Sequence, residues 1–522
     1  MKIICLIVFL SFFLFSFSKK PSLWPEPQNI VYGDENFQID SSSFDFKLEG
    51  SGSTSQILQD KVEFYKKLLF PFPIKKEFKK FSFNSLLSTV VINVKSADET
   101  LQLGVNENYT ISITNQESII SSQTIYGAIR GLETFSQLIY FNYTSSTYWI
   151  KNGPLLIIDY PRFKWRGILI DTSRHYIPTE SMKLMIEAMA FNKMNTLHWH
   201  ATDAQSFPLF INKYPELSQK GAYFDGDYSY SNEEVNDIVS YAKSFGIRVV
   251  IEIDGPGHSA SFGKGIPSMI SNCPKFLDNI NSISLNPTQN FTYQVLTDIW
   301  KEMSTLFIDN FIHFGGDEVY YECWKEDPQI NQWMQEHNMT TTQLEEYYFT
   351  NMNIIKSTIS KKTIFWESVY DLKNFDILKD SIVQLWTDIT KAQEVINSGI
   401  QVINSFGWYL DRQVPGPDIH YEFLDTWKDF YSLEPFDYVS QNQEMFLGGE
   451  ACSWSEQVNW SSISNRIWPR ASAVAERLWS SRNVNDISDA TLRLNDFSCR
   501  LINRGIPSAP LVPGACYIGK MH

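Results

Sequence analysis

The chain has 522 residues, of which 43% are hydrophobic and 20% charged, an ordinary composition for a soluble globular protein with room for two domains. Its formal net charge of −15 argues against nucleic acid or an anionic membrane surface as partner, because each would select a basic face. An acidic protein does suit an acidic compartment.

Residues 1–18 carry Lys2 and an apolar run from Ile3 to Phe17, with Ser16 and Ser18 ahead of a cut near Lys19. The run is short of the ~20 residues that a membrane helix needs, and no later segment replaces it, so it reads as a cleaved signal peptide without a membrane span. The mature protein is therefore expected on the secretory route. Residues 19–154 alternate short β-type runs, Thr89 to Lys95 and Tyr109 to Thr114, with a helix near Thr124 to Ile139, which predicts a small α+β domain. The Ser/Thr cluster after Tyr143 and the turn Asn152-Gly153-Pro154 mark its end.

Residues 155–522 change to a strand–helix cadence. Ser231 and Glu234 form a capping box ahead of Val235, Ile238, Val239 and Ala242 at helical spacing, Gly246 ends that helix, and Arg248 to Asp254 is the next strand. Apolar strand candidates recur at Arg166 to Asp171, Asn195 to Trp199, Arg248 to Ile253, Phe311 to Phe314, Thr363 to Trp366, Ile382 to Trp386, Gln401 to Ser405 and Met445 to Leu447. Eight such units match a (β/α)8 TIM barrel with insertions, an α/β fold. An open doubly wound sheet shares the rhythm, but no Gly-x-Gly-x-x-Gly fingerprint follows the first strand.

The fourth of these strands, Phe311 to Phe314, runs into Gly315-Gly316-Asp317-Glu318. The glycines allow close approach of backbone or ligand, and two adjacent carboxylates at a strand end cannot both ionise freely, so one should have a raised proton affinity, as a general acid requires. A bare Asp-Glu pair equally serves to cap the following helix, and the neighbouring motifs decide between the two. They are Trp165-Arg166-Gly167 running to Asp171-Thr172-Ser173-Arg174-His175-Tyr176, His198-Trp199-His200-Ala201-Thr202-Asp203, Asp254-Gly255-Pro256-Gly257-His258, Trp408-Tyr409-Leu410-Asp411, and Gly448-Gly449-Glu450 running to Trp454-Ser455-Glu456. In this order, over nearly the whole mature chain, they resemble the family 20 glycoside hydrolases, the β-N-acetylhexosaminidases.

The resemblance implies an exo-acting hydrolase that removes terminal β-linked GlcNAc or GalNAc with net retention. In that chemistry the substrate's own 2-acetamido oxygen attacks the anomeric carbon, the substrate-assisted exception among glycosidases. It implies Glu318 as acid and then base, Asp317 as the group that orients the acetamide and stabilises its developing positive charge, and Tyr409 as donor to the acetamide oxygen. Trp366, Trp386 and Trp454, each at a strand end, suit walls around the sugar; singly each reads as core, and together beside the carboxylates they read as pocket. Arg174 is the family's candidate for the outer hydroxyls, with Asp411 and Glu456 reaching others, and Asp203, Asp254 and His258 form a supporting layer. Arg166, inside its strand, reads as a buried ion-pair residue. His198 and His200 alternate along a strand and face one side, but a third ligand is not matched, so neither a metal nor a cofactor is expected. The pair Asp411-Arg412 mixes the Asn-Arg and Asp-Leu pairs of the animal subunits, which suggests neutral substrates with residual activity on 6-sulfated sugars.

With Cys5 in the leader, the mature chain keeps an odd set of five cysteines. The resemblance implies disulfides Cys273 to Cys323 and Cys499 to Cys516 and leaves Cys452 as a buried thiol. Asn108, Asn142, Asn290, Asn338 and Asn459 occupy glycosylation sequons, of which Asn459 is doubtful because it lies close to Trp454 and Glu456. Expected partners are glycan ends of glycoproteins, glycolipids or chitin-derived oligosaccharides, with a homodimer suggested by family analogy and the lysosome or secretion as destination. Two other functions share these residues: a carbohydrate-binding protein without turnover, and a hydrolase of plain β-glycosides pairing Glu318 with Glu367.

Overall fold

A computed structural model describes residues 21–74, 86–411 and 426–517. The expected leader, residues 1–18, and Arg412 lie outside the described residues. The N-terminal part contains β1 (Asn29–Val31), β2 (Glu35–Ile39), β3 (Asp45–Glu49), β4 (Leu86–Leu87), β5 (Thr89–Val94), β6 (Tyr109–Ile113), β7 (Ser118–Ser122), β8 (Ile139–Asn142), β9 (Thr147–Gly153) and β10 (Leu155–Asp159). They form a six-stranded sheet, β1-β10-β6-β7-β5-β3, and a four-stranded sheet, β4-β2-β9-β8.

The stretch that reads as a boundary in sequence is instead β9, and β10 beyond it pairs with both β1 and β6. The first domain thus reaches Asp159 rather than Pro154. Its Gly-Pro step interrupts the local pattern, but Leu155 and Ile157 alternate inward, and partners distant in sequence complete the ladder. The helix Ile125–Leu138 is buried along its whole length because it is covered on more than one side. Thr124 starts it by accepting from the Gly127 amide at 3.1 Å. Arg130 on this helix donates to the carbonyls of Met194, Phe245 and Gly246, which lie in the second domain.

Eight parallel strands close that second domain: β11 (Trp165–Asp171), β12 (Thr196–Thr202), β13 (Arg248–Ile253), β14 (Phe311–His313), β15 (Lys362–Trp366), β16 (Ile382–Leu385), β17 (Gln401–Asn404) and β18 (Phe446–Ser453). The Ser231–Glu234 capping box is present on the helix Asn232–Ser244. All eight strands occur where the apolar runs predict them, but β18 extends far beyond Leu447. Gly448 and Gly449 end the apolar run in sequence, whereas in the fold they permit close approach: a Cβ on Gly448 would stand 2.0 Å from the Trp165 carbonyl oxygen. The ladder with β11 then continues to Ile170 opposite Ser453, and this carries Glu450 into the barrel.

The barrel interior is layered. Trp165, Val250, Phe311, Ile364, Ile382, Ile403 and Leu447 form an apolar floor. Above it lie the buried polar side chains His198, Glu252, His313, Gln384 and Glu450. The C-terminal strand ends open onto the candidate site. The disulfides Cys273–Cys323 and Cys499–Cys516 both form, and Cys452 is free and buried.

Candidate active site

The turn after β14 separates the two adjacent carboxylates. Gly315 and Gly316 take φ of 67° and 102°, and a Cβ on Gly315 would meet Asp254 Oδ1 at 1.7 Å, so the sequence needs glycine there. The Gly316 amide donates to Asp254 Oδ1 at 3.1 Å, which pins the turn to the end of β13. Asp317 then points inward with 14% of its side chain exposed, while Glu318, at φ 49°, keeps 59% exposed. Neighbours in sequence thus face different environments.

His258 stands between them, with Nε2 3.3 Å from Glu318 Oε2 and 3.8 Å from Asp317 Oδ2. Its Nδ1 faces Asp203 Oδ1 at 3.4 Å. Burial alone would lower the proton affinity of His258; Asp203, Glu318 and Asp317 raise it well above the usual imidazole value. The cation in turn lowers Glu318 below the ordinary glutamate value, by hydrogen bonding first and by charge second. Burial pushes Asp317 up, aided by Glu252 and Glu318, and burial with Asp317 pushes Asp254 well up. The raised carboxyl of the adjacent pair is therefore Asp317 and not Glu318. Glu318 and His258 thus form an ion pair that holds a proton at the mouth of the site.

Arg174 enters from the loop after β11, its guanidinium 2.6 Å from Asp203 Oδ2 and 3.3 Å from Asp171 Oδ2. It lies over the Trp454 ring at 5.1 Å, and its Nε is buried without a hydrogen-bond partner. Trp366, the last residue of β15, packs with Leu169 and Cys452, and Trp386, Tyr409 and Trp454 close over this cluster. Trp366 and Trp454 have ring centroids 6.0 Å apart, and Tyr409 and Trp454 6.5 Å. Tyr409 is aligned by a bridge to Cys452, and burial, with Cys452 and Asp317 adding to it, keeps its hydroxyl protonated. Asp317 Oδ1 and Trp386 Nε1 are both buried without a partner. The arrangement offers an aromatic pocket, one carboxylate oxygen and one indole N–H free to bind an amide-sized group, and an acid at its mouth.

Asp411 is half-buried and Glu456 exposed. Glu367 is buried and fully engaged: it accepts from the Trp386 and Thr387 amides at 3.1 and 2.9 Å and pairs with Lys391 at 2.6 Å. It is not disposed as a second catalytic carboxylate. Arg166 pairs with Glu107 at 2.6 Å, as a buried ion-pair residue should.

Sequence reasoning missed the layer beneath. His198 and His200 do face one side, but further ligand-type groups come within reach of them: Glu252 and His313, from β13 and β14, lie with His198 in a group whose polar atoms are within 4.8 Å of one another. The argument from a missing third ligand therefore fails, because strand neighbours supply what the local motif lacks. Glu252 Oε2 lies 2.9 Å from His198 Nε2 and Oε1 3.3 Å from His313 Nδ1, while Oε2 is hydrogen-bonded to His200 Nδ1 at 2.6 Å. Alternation along Arg248–Ile253 could have flagged Glu252 as an inward charge.

Comparison with known proteins follows this geometry. Residues 163–482 match the family model "Glycosyl hydrolase family 20, catalytic domain", and residues 23–138 match "beta-acetyl hexosaminidase like". The chain is 40% identical to the beta-hexosaminidase subunit A1 of Dictyostelium discoideum, covering 94% of this chain and 90% of that one. It is 38% identical to the human beta-hexosaminidase subunit beta, covering 95% and 90%. Among solved structures, the Flavobacterium johnsoniae chitobiase superposes with a TM-score of 0.80 at 28% identity, over 93% of this chain and 73% of that chain.

Proposed function

The chain belongs to glycosyl hydrolase family 20, and from that membership we propose how its own residues carry out the reaction. The protein is an exo-acting β-N-acetylhexosaminidase that takes terminal β-linked GlcNAc or GalNAc from glycoconjugates. The acetamide enters the pocket of Trp366, Trp386, Tyr409 and Trp454. Asp317 accepts the acetamide N–H and stabilises the charge that develops as the acetamide oxygen attacks the anomeric carbon. Tyr409 donates to that oxygen. Glu318, fed by His258, protonates the leaving oxygen, and the resulting carboxylate takes a proton from the water that opens the oxazolinium intermediate. Arg174 holds the outer hydroxyls, with Asp411 and Glu456 nearer the rim.

The observation that carries this reading is the unpartnered Asp317 oxygen in an aromatic pocket beside an exposed Glu318. A two-carboxylate mechanism would need a second acid across the sugar, and Glu367 is engaged elsewhere. The test is hydrolysis of an aryl N-acetyl-β-glucosaminide against the matching aryl β-glucoside. Rapid cleavage of the first and none of the second is expected; comparable rates would overturn substrate assistance. The Asp411-Arg412 pair supports weak turnover of 6-sulfated sugars. We further assign residues 1–18 as a leader, the lysosome or secretion as destination, a homodimer as assembly, and glycans on the sequons; Asn108, Asn290 and Asn338 are exposed. Asn459 is the doubtful candidate, because it lies close to Trp454 and Glu456 in the chain.

A further inference from the structure

A layer of buried titratable side chains lies directly under the site and backs the aromatic wall of the pocket a sugar would fill. Glu252, fully buried on β13, is its centre. Its Oε2 faces His200 Nδ1 at 2.6 Å and His198 Nε2 at 2.9 Å. Its Oε1 accepts from Trp366 Nε1 at 2.7 Å and faces His313 Nδ1 at 3.3 Å. One carboxylate therefore bonds to β12 through His200 and to β15 through Trp366, and borders His313 on β14.

Two of these contacts lead to the reaction. Trp366 is the buried wall of the acetamide pocket. His200 continues through Nε2 to Asp203 Oδ2 at 3.0 Å, then Asp203 to His258 at 3.4 Å, then His258 to Glu318 at 3.3 Å. We propose that Glu252 is a positioning residue for the hydrolysis, tying the line that ends at Glu318 to the Trp366 wall through its two oxygens. The inference rests on the roles assigned above to Glu318 and Trp366. Both nitrogens of His200 face carboxylates, the geometry of an imidazolium, and Arg174, paired with Asp203 at 2.6 Å, stands 3.5 Å from its Nε2; burial opposes the charge on His200, and Glu252, Asp203 and Asp171 outweigh it. His198 lies between Glu252 and Glu450, and the charge of Glu252 also reaches Asp254 and Asp317. The acid line is thus an alternation of anion and cation reaching the barrel centre, in which each member fixes the orientation of the next.

Glu252→Gln tests this. The amide oxygen can still accept from Trp366 and the amide N–H can meet a neutral His200, so shape is kept and charge is lost. Arg174 stays on Asp203, and losing the His200 cation outweighs losing the more distant anion, so the His258–Glu318 pair holds its proton to higher pH. The alkaline limb of kcat/KM should move up by about half a pH unit or more, and kcat should fall about tenfold. His200→Gln removes the same cation and leaves the Trp366 bond, so it should move the limb further in the same direction, with the inhibition constant of N-acetylglucosamine kept within about twofold. Trp366→Phe should do the reverse, weakening that inhibitor with the limb in place. A folded Glu252→Gln whose pH profile overlays the parent, or whose loss is equal at every pH, overturns the proposal. Should that variant not fold, an unmoved limb in His200→Gln overturns it. Glu318→Gln separates the premises: full activity there would remove the role of Glu318 itself, independently of Glu252.

Discussion

At the seam between the domains, Glu107 accepts from Arg166 at 2.6 Å, Arg130 at 2.9 Å and Asn195 at 3.1 Å. Beside it Asp159 accepts from Lys193 at 2.8 Å, from Trp479 and from Tyr109. None of Glu107, Arg130, Arg166, Asp159 or Lys193 leaves a buried polar side-chain atom unpaired. The mouth of the barrel is built from the same side-chain types, yet Arg174 Nε, Asp317 Oδ1 and Trp386 Nε1 are buried and unpaired there. Unpaired buried polar atoms cost stability, so these five seam residues match theirs, whereas at the mouth the substrate is left to complete the set. The difference separates residues that hold the fold from residues that wait for a ligand.

Mutations at the two places should break this comparison in opposite ways. Glu318→Gln is expected to lower kcat on an aryl N-acetylglucosaminide by about 10³-fold, and Asp317→Asn by a similar order, as loss of acid and electrostatic groups does. Thermal denaturation should be unchanged in the first and unchanged or improved in the second, because Asp317 is a buried carboxyl that resists ionisation. A fall in stability in both would mean that the mouth is as structural as the seam. Glu107→Ala should reverse the pattern, costing about 3–5 kcal/mol in denaturant unfolding by leaving Arg130 and Arg166 without their anion. The folded fraction should keep its kcat to within about twofold.

A smaller effect sharpens the contrast through pH. His198 is raised from 6.5 to about 9: burial opposes the charge, and Glu450 and Glu252 outweigh it. A group whose folded value lies above its unfolded one contributes stability in full below the unfolded value and loses it as pH rises through the folded value. The unfolding free energy should therefore fall between about pH 6.5 and pH 9, by a few kcal/mol at about 1.4 kcal/mol per unit, and the thermal midpoint with it. A midpoint flat over this range would mean that His198 is neutral in the folded barrel.

The sequence carried the barrel because each parallel strand is apolar on both faces and so reads as a continuous run, from Arg248 to Ile253 for example. It carried Asp317 and Glu318 because the separated motifs around them named the chemistry, where the pair alone would equally have read as a helix cap. It could not show where β18 ends or that β10 belongs to the first domain, since pairing partners distant in the chain decide both. Nor could it say which of two adjacent carboxyls would have the raised proton affinity. That was decided by tertiary structure: the turn at Gly315 and Gly316 buries Asp317 and sends Glu318 outward to His258, so burial raises one and a cation lowers the other. Local pattern sets which groups are present at a strand end, and only packing sets the dielectric and the charges around them.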